Sequence, residues 1–457
     1  MDAERKRWVS LAANSVGTLV EWFDFMVFAY LAPVLAPLFF PTHDKLASLL
    51  ATYGLFWLGF AIRPLGGACI GCIGDLFGRR WTLLGSVILM SLPMLATGFL
   101  PTYAQIGFWA PALLAVTRLA MGFSVGGEFS GTVVALFETA AKGKSALAVN
   151  LANVSSCLGA LLAAAAVTGL SALLGAEKMS AGGWRIPYFL GAGLALGAIL
   201  LRFFLHETPQ FEETKKKGLV AKTPLRDVWR ADKMAMAACA IGCGFYGHTY
   251  YLLGTYLPNR METDLHLPGS VIFLAAVVAN TCLALLPQLF APLVDRVKWR
   301  PFLWVTGILT MVAVWPALEM VEKGGAGWVV AGLLLFAIPQ TAFTSAILPA
   351  ASALFPTPRR FTGMSVAYNI GMLAFAGPVP GVAAWLHAKY GTFGPAGMVV
   401  AMGVLTLLIV EKYPDNENGP SPSGKSSSIL HAPHPRENRF HGKPFHCAGG
   451  QSAGGSS

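Results

Sequence analysis

Charge is scarce in this chain. Only 12% of its 457 residues are Asp, Glu, Lys or Arg, against 55% hydrophobic, where a soluble domain carries roughly 25% charged residues. A water-soluble enzyme of this length needs a more polar exterior, and a disordered or fibrous chain is excluded by the same numbers. Signatures of catalysis are missing too: there is no HExxH, no Walker-type GxxxxGK[ST], no nucleophile elbow and no His-rich cluster in the apolar stretches. An enzyme or an ATP-driven pump is therefore not expected, nor is a resident cofactor or metal. Cysteine is sparse. Cys69, Cys72, Cys157, Cys239, Cys243 and Cys282 lie in apolar runs, and Cys447 lies near the end of the chain. The CxxC spacing of Cys69 and Cys72 has no second pair or nearby His, so both read as small helix residues. The opening MDAERKRW is charged, but the apolar stretch after it is too long and contains acids, so a cleaved signal peptide is not expected.

What is present is a series of long apolar runs, with a mean hydropathy of +0.58. Runs of about 20 residues, enough to cross about 30 Å of hydrocarbon, recur at 10–38, 48–73, 82–100, 108–136, 146–174, 184–205, 234–257, 270–293, 302–321, 327–350, 361–387 and 393–411. They predict an all-α polytopic membrane protein with twelve transmembrane helices in two pseudo-symmetric six-helix bundles. The longest polar interruption, 206–233, separates a bundle at 1–205 from one at 234–413. The tail, 414–457, is rich in Pro, Gly, Ser and His without apolar periodicity and reads as disordered. Its histidines (His431, His434, His441, His446) match no compact metal site. With the N-terminus inside, 25 of the 33 Lys and Arg fall in inside segments and 6 outside, with Arg63 and Arg118 within spans. The net charge of +10 is thus a topology signal. It places both termini and the 206–233 loop in the cytoplasm of a cell with this protein in its plasma membrane, a bacterial inner membrane, and needs no nucleic acid.

One loop is repeated. GCIGDLFGRR follows the second span, from Gly71 to Arg80, and APLVDRVKWR follows the eighth, from Ala291 to Arg300. Asp75 and Asp295 stand 220 residues apart, each followed by basic residues. Matching loops in two six-span halves indicate a duplicated transporter architecture. The stretch Gly71-x-x-x-Asp75-x-x-Gly78-Arg79-Arg80 resembles the signature loop of the major facilitator superfamily. Further stretches narrow the match: VEWFDF from Val20, FAIRPLGG from Phe60, RLAMGFSVGGEFSG from Arg118, GWRIPYFLG from Gly183, HETPQF from His206 and FPTPRRFTGMSVAYNIG from Phe355. From about residue 10 to 411 the chain resembles the metabolite:proton symporters, which include carriers of 2-oxoglutarate, citrate, shikimate, dicarboxylates and proline/betaine. Met121, Ala353 and the Lys298-Trp299 pair depart from the usual Gln, Glu and Gly-Arg. The resemblance implies a monomeric carrier working by alternating access, with Gly71, Asp75, Gly78, Arg79, Arg80, Asp295, Arg296 and Arg300 in a gate.

Ionisable residues inside a bilayer are costly and mark a pathway. The first half holds Glu21, Asp24, Arg63, Arg118 and Glu128. Glu21 and Asp24 are three apart and share a helix face, a stripe continued by Asn14 and Gly17 and expected to face a central cavity. Two carboxylates close together in low dielectric resist simultaneous ionisation, so Glu21 and Asp24, with Arg118 as electrostatic partner, are the expected proton-coupling set. Arg63 and Arg118 are candidates for holding an anionic substrate bidentately. Glu128, nearer the cytoplasm, is assigned to the gate as a partner for Arg79. Candidate substrate contacts in the second half are Tyr246, His248, Tyr250, Asn280, Gln340, Tyr368 and Asn369. The expected activity is proton-driven uptake of a small organic acid, a di- or tricarboxylate. The alternatives are a proline/betaine-type osmolyte carrier, a drug antiporter and a membrane receptor that binds without transporting; the sequence does not itself distinguish a proton from a Na+ gradient.

Overall fold

A backbone in hydrocarbon must satisfy its own N–H and C=O groups, which leaves the helix as the natural state of each apolar run. In the computed structural model, which describes residues 3–41 and 45–413, there is no strand among the described residues. The principal helices are α1 (Ala3–Phe39), α2 (Lys45–Ala61), α3 (Arg63–Phe77), α4 (Arg79–Phe99), α5 (Trp109–Thr139), α6 (Leu151–Ala181), α7 (Ile186–Phe203), α8 (Lys233–Tyr251), α9 (Gly269–Val294), α10 (Trp299–Glu322), α11 (Ala326–Ala353), α12 (Arg360–Gly371), α13 (Val379–Tyr390) and α14 (Phe393–Val410). The tail after residue 413, with its histidines, lies outside the described residues.

Two pairs of these helices are single crossings. Pro64 has no N–H to donate to the Phe60 carbonyl and its ring crowds that group, so the ladder breaks at Ile62 and α3 starts afresh at Arg63. α12 continues into α13 through a π-helical turn at Met372–Ala376. Eleven helical stretches among the described residues are long and apolar enough to cross a membrane. The twelfth crossing is α8, which runs through a second π turn, Leu252–Tyr256, into a helix at Leu257–Thr263. It is the least apolar because it carries Tyr246, His248, Thr249, Tyr250 and Tyr251.

Burial is inverted relative to a soluble protein. Large apolar side chains such as Phe77, Phe108, Leu289 and Leu408 stand outward, while Glu21, Asp24, Asp75, Arg79, Glu128, Glu138 and Arg202 are inside. In the first half α1 packs on α5, α6 and α7, and α5 also meets α3 and α4. In the second half α11 packs on α9 and α10, and α8 on α12 and α14. The halves meet where α3 and α5 lie on α12 and where α9 lies on α6. The helices at Pro209–Lys216 and Pro224–Ala231 in the connecting loop sit at the same end of the molecule as these crossings' polar loops.

Candidate transport site and latch

The central cavity is built from α1, the α2–α3 break and α5. Glu21, Asp24, Phe25, Arg63 and Arg118 line it, around about 350 Å³ of empty space that opens to solvent. Arg118 Nη1 lies 2.9 Å from Asp24 Oδ2, and its Nη2 donates to Thr97 Oγ1 at 3.0 Å. Arg63 sits at the helix break with its guanidinium 4.1 Å from the Phe60 ring centroid and 5.2 Å from that of Phe25. Unlike Arg118 it is committed to no acid among the described residues. Four buried polar atoms here lack hydrogen-bond partners among the described residues: Glu21 Oε2, Asp24 Oδ1, Arg63 Nε and Arg118 Nε. Buried polar groups are normally satisfied, and an unpaired buried charge is costly. The arrangement therefore suits a site that receives a polar guest.

Glu128 does not belong to this set, nor does it pair with Arg79. Arg202 Nη2 and Nη1 donate to its two oxygens at 2.5 and 3.0 Å, and Ser86 and Thr132 add hydroxyl donors. All of these residues lie in the first half. Asn14 and Gly17 face this pair, not the cavity: the Asn14 carbonyl accepts from Arg202 Nη2 at 2.7 Å, and a Cβ on Gly17 would stand 2.1 Å from Glu128. Arg202 was counted with the topology charges at the end of an apolar run, yet it is fully buried. The signal that could have found it is its isolation: a single cation with apolar neighbours on both sides in LLRFFL.

The second half contributes unevenly. Tyr246 donates to Asn153 Oδ1 at 3.3 Å, and Trp22 on α1 meets Tyr250 on α8 edge to face at 5.7 Å. Tyr368 stacks on Phe129 at 5.2 Å, and Asn369 Nδ2 donates to the Gly126 carbonyl at 2.6 Å. These four bridge the halves. His248 lies 3.0 Å by Nδ1 from the Phe375 carbonyl; a carbonyl only accepts, so Nδ1 carries the proton. Gln340 is buried within its own half and bonds Thr344 Oγ1 at 3.2 Å. Asn280 is exposed and donates back to the Ala276 carbonyl at 2.8 Å, which removes it from the buried set.

At the end carrying the connecting loop, the halves are latched twice. Asp75 accepts from the N–H groups of Phe361 and Thr362 at 3.2 and 2.8 Å, at the positive N-terminus of α12. Asp295 repeats the device, accepting from the Ala146 and Leu147 N–H groups at 2.8 and 3.1 Å at the start of the helix leading into α6. Burial pushes the Asp295 carboxyl above the usual carboxylate range, against the pull of those two donors. Gly71 is needed because α12 passes close: a Cβ there would be 2.8 Å from Thr362 Cα. Gly78 turns the chain at a φ of +109° beside Glu207.

Beside the first latch stands Glu138, which the sequence reading did not single out. It accepts from Arg79 Nε at 3.0 Å, from Thr208 Oγ1 at 2.6 Å and from Arg360 Nη1 at 3.0 Å. It thus joins the first half, the connecting loop and the second half. Arg79 also lies 3.1 Å from Asp75 and donates to the Thr357 carbonyl at 2.8 Å. Glu207, raised above the usual carboxylate range by burial, accepts from the N–H groups of Arg79, Arg80 and Thr208. Arg80 turns away to the Phe203 carbonyl, Arg296 is exposed, and Arg300 bonds the Tyr413 carbonyl at 2.5 Å.

Comparison with known proteins agrees with this architecture. Residues 9–242 match the sugar (and other) transporter family. The proline/betaine transporter of Salmonella typhimurium is 32% identical over 425 residues, covering 90% of this chain and 84% of that protein. The glycine betaine/proline/ectoine/pipecolic acid transporter OusA of Dickeya dadantii is 32% identical over 413 residues, covering 87% and 81%. Among solved structures, the major facilitator superfamily proton:xylose symporter XylE bound to 6-bromo-6-deoxy-D-glucose superposes with a TM-score of 0.74 at 14% identity, covering 91% of this chain and 97% of that one. The human organic anion transporter MFSD10 gives a TM-score of 0.62 at 17% identity, covering 90% and 100%. A duplicated helical scaffold, a charged cavity among the helices of its first half and a double latch at one end accordingly belong to a multi-pass membrane transporter, and the chain is a member of the sugar (and other) transporter family of the major facilitator superfamily.

Proposed function

We propose that this protein carries a small zwitterionic osmolyte, of the proline or betaine kind, into the cell with a proton by alternating access. The charge count of the cavity carries this reading. Glu21 and Asp24 stand with Arg63 and Arg118, while Glu128 is neutralised elsewhere by Arg202. Two cations and two anions leave no net charge. A zwitterion keeps that balance, whereas a di- or tricarboxylate would add uncompensated negative charge in low dielectric. The expected organic acid therefore yields to the osmolyte alternative, and relatives named as proline/betaine transporters favour the same side.

Roles follow from which groups are already committed. Arg63, with no acid of its own, receives the substrate carboxylate. Asp24 and Arg118 form the proton-responsive pair: a proton on Asp24 cancels the attraction that holds Arg118, and its departure restores it. Glu21, with an unpartnered oxygen, attracts the substrate's cationic end. The excess of Lys and Arg at the latched end puts that end in the cytoplasm of a bacterial inner membrane, so this conformation presents the cavity outward. One chain holds every named group, and a monomer suffices.

Uptake into vesicles of the purified protein tests the reading, with radiolabelled zwitterions and carboxylates and an inward-acid gradient. Proline or glycine betaine should accumulate, and both a protonophore and Asp24→Asn should abolish accumulation. Accumulation of di- or tricarboxylates alone, or uptake indifferent to the gradient, would overturn it.

A further inference from the structure

Five aromatic side chains close a circuit between the two halves of the protein. Trp22 lies 5.7 Å from Phe25, Phe25 5.1 Å from Phe60, Phe60 6.3 Å from Tyr251, Tyr251 5.6 Å from Tyr250, and Tyr250 5.7 Å from Trp22. Every step is edge to face, with interplanar angles from 64° to 82°. α1 and α2 supply three rings and α8 supplies two, so the circuit exists only where the halves meet. A cation already rests on it: the Arg63 guanidinium is within 5.2 Å of two of the ring centroids. Beside it lie three buried polar atoms without partners among the described residues: Trp22 Nε1, Arg63 Nε and Glu21 Oε2.

We propose that this aromatic collar determines specificity for the cationic end of the substrate and selects a quaternary, N-methylated ammonium over a primary one. The proposal rests on the zwitterion reading above and adds the chemistry of the head group. A primary ammonium must give up its hydrogen bonds to water on entry, and the collar is mostly ring carbon. A trimethylammonium has no donors to leave unsatisfied, and it spreads its positive charge over methyl groups that fit against ring faces. Its arrival also displaces Arg63 from Phe25 and Phe60. The freed guanidinium, with the Trp22 indole N–H, is then available to the carboxylate at the other end of the molecule. Because the rings come from both halves, the occupant ties them together.

The test is equilibrium binding to the purified full-length protein along the series glycine, sarcosine, dimethylglycine and glycine betaine. The isostere 3,3-dimethylbutanoate, which keeps the carboxylate and replaces the trimethylammonium by a neutral tert-butyl head, is measured alongside. Affinity should rise with each methyl group, and the isostere should bind about tenfold or more weakly than glycine betaine, the size of a desolvated cation–π contact. Tyr250→Leu should lose glycine betaine affinity by a similar factor, and Tyr250→Phe, which restores the ring, should recover most of it. A flat methyl series, an isostere as good as betaine, or equal losses in the Leu and Phe variants would overturn the collar proposal while leaving zwitterion transport standing. Failure of every zwitterion to bind, with carboxylates binding instead, would overturn both. The methyl series on the unaltered protein decides the matter even where a leucine variant does not fold.

Discussion

At the scale of single residues, the buried charges divide into those already paired and those still available. Arg202 grips Glu128 with two nitrogens and also donates to the carbonyls of Asn14 and Leu83 at 2.7 and 2.6 Å. Removing one partner strands the other in low dielectric, at a cost of about 3–5 kcal/mol. Glu128→Gln should therefore lower the melting temperature of the purified protein markedly. A double replacement by apolar residues, Glu128→Leu with Arg202→Met, should be milder than either single change; a double variant worse than both singles would contradict this. Arg63 is the opposite case. No ion pair holds its guanidinium among the described residues, and Arg63→Gln should weaken substrate binding about tenfold or more, as loss of a charge-assisted bond does. Glu21, Asp24 and Arg118 were legible as buried charges because a charge in the middle of an apolar run has no inexpensive alternative. Arg202, Glu138 and Arg360 were not, because they stand near the ends of runs. There a charge is equally consistent with water outside and with a partner inside, and only the packing of neighbouring helices decides which.

At the scale of elements, the two latches show which parts of a motif do the physical work. Asp75 and Asp295 each take two N–H groups at the start of a helix from the opposite half. The second copy has Ala291 where the first has Gly71, and Ala291 is fully buried, so a small residue is enough there. It has Lys298 where the first has Gly78, with ordinary extended backbone at φ −70° in place of +109°. The acid is what both copies share; Gly71 answers to the close approach of α12 and Gly78 to a local turn. Cys72 offers a native probe, since Thr362 Oγ1 lies 3.9 Å from its sulfur across the latch. In a Cys69→Ser background, Asp75→Ala should speed alkylation of Cys72 by a membrane-impermeant maleimide from the latched side, by about tenfold for the loss of a helix cap worth 1–2 kcal/mol. An unchanged rate would mean that Asp75 does not hold this end shut. The crossings themselves were legible to within a few residues, α8 included. The π turns at Leu252–Tyr256 and Met372–Ala376 were not, because nothing in the local composition distinguishes one extra residue per turn from a regular helix.

At the scale of the whole molecule, stability and function share one interface. The halves touch through the latches, the Tyr246–Asn153 and Asn369–Gly126 bonds and the aromatic collar. A ligand that bridges them must stabilise the fold. Glycine betaine at 100 times its dissociation constant should add about 2.7 kcal/mol by mass action, read as a rise in melting temperature that a tenfold-weaker Arg63→Gln cuts to about half at the same concentration. Absence of any shift at saturating betaine would argue against binding between the halves.

By itself the sequence determined the class of solvent, the number and order of crossings, the duplicated plan and the presence of costly charges at mid-depth. Each of these follows from residues read along the chain, where hydropathy, periodicity and spacing act locally. Only the tertiary structure decided how the charges are shared out. It withdrew Glu128 from the gate by placing Arg202 against it, made Glu138 the hub beside the Asp75 latch, and turned Asn280 outward. It also closed five rings from three helices into a collar. Partnership between side chains 74 or 222 positions apart depends on helix packing and rotation in three dimensions, which hydropathy along a run does not encode.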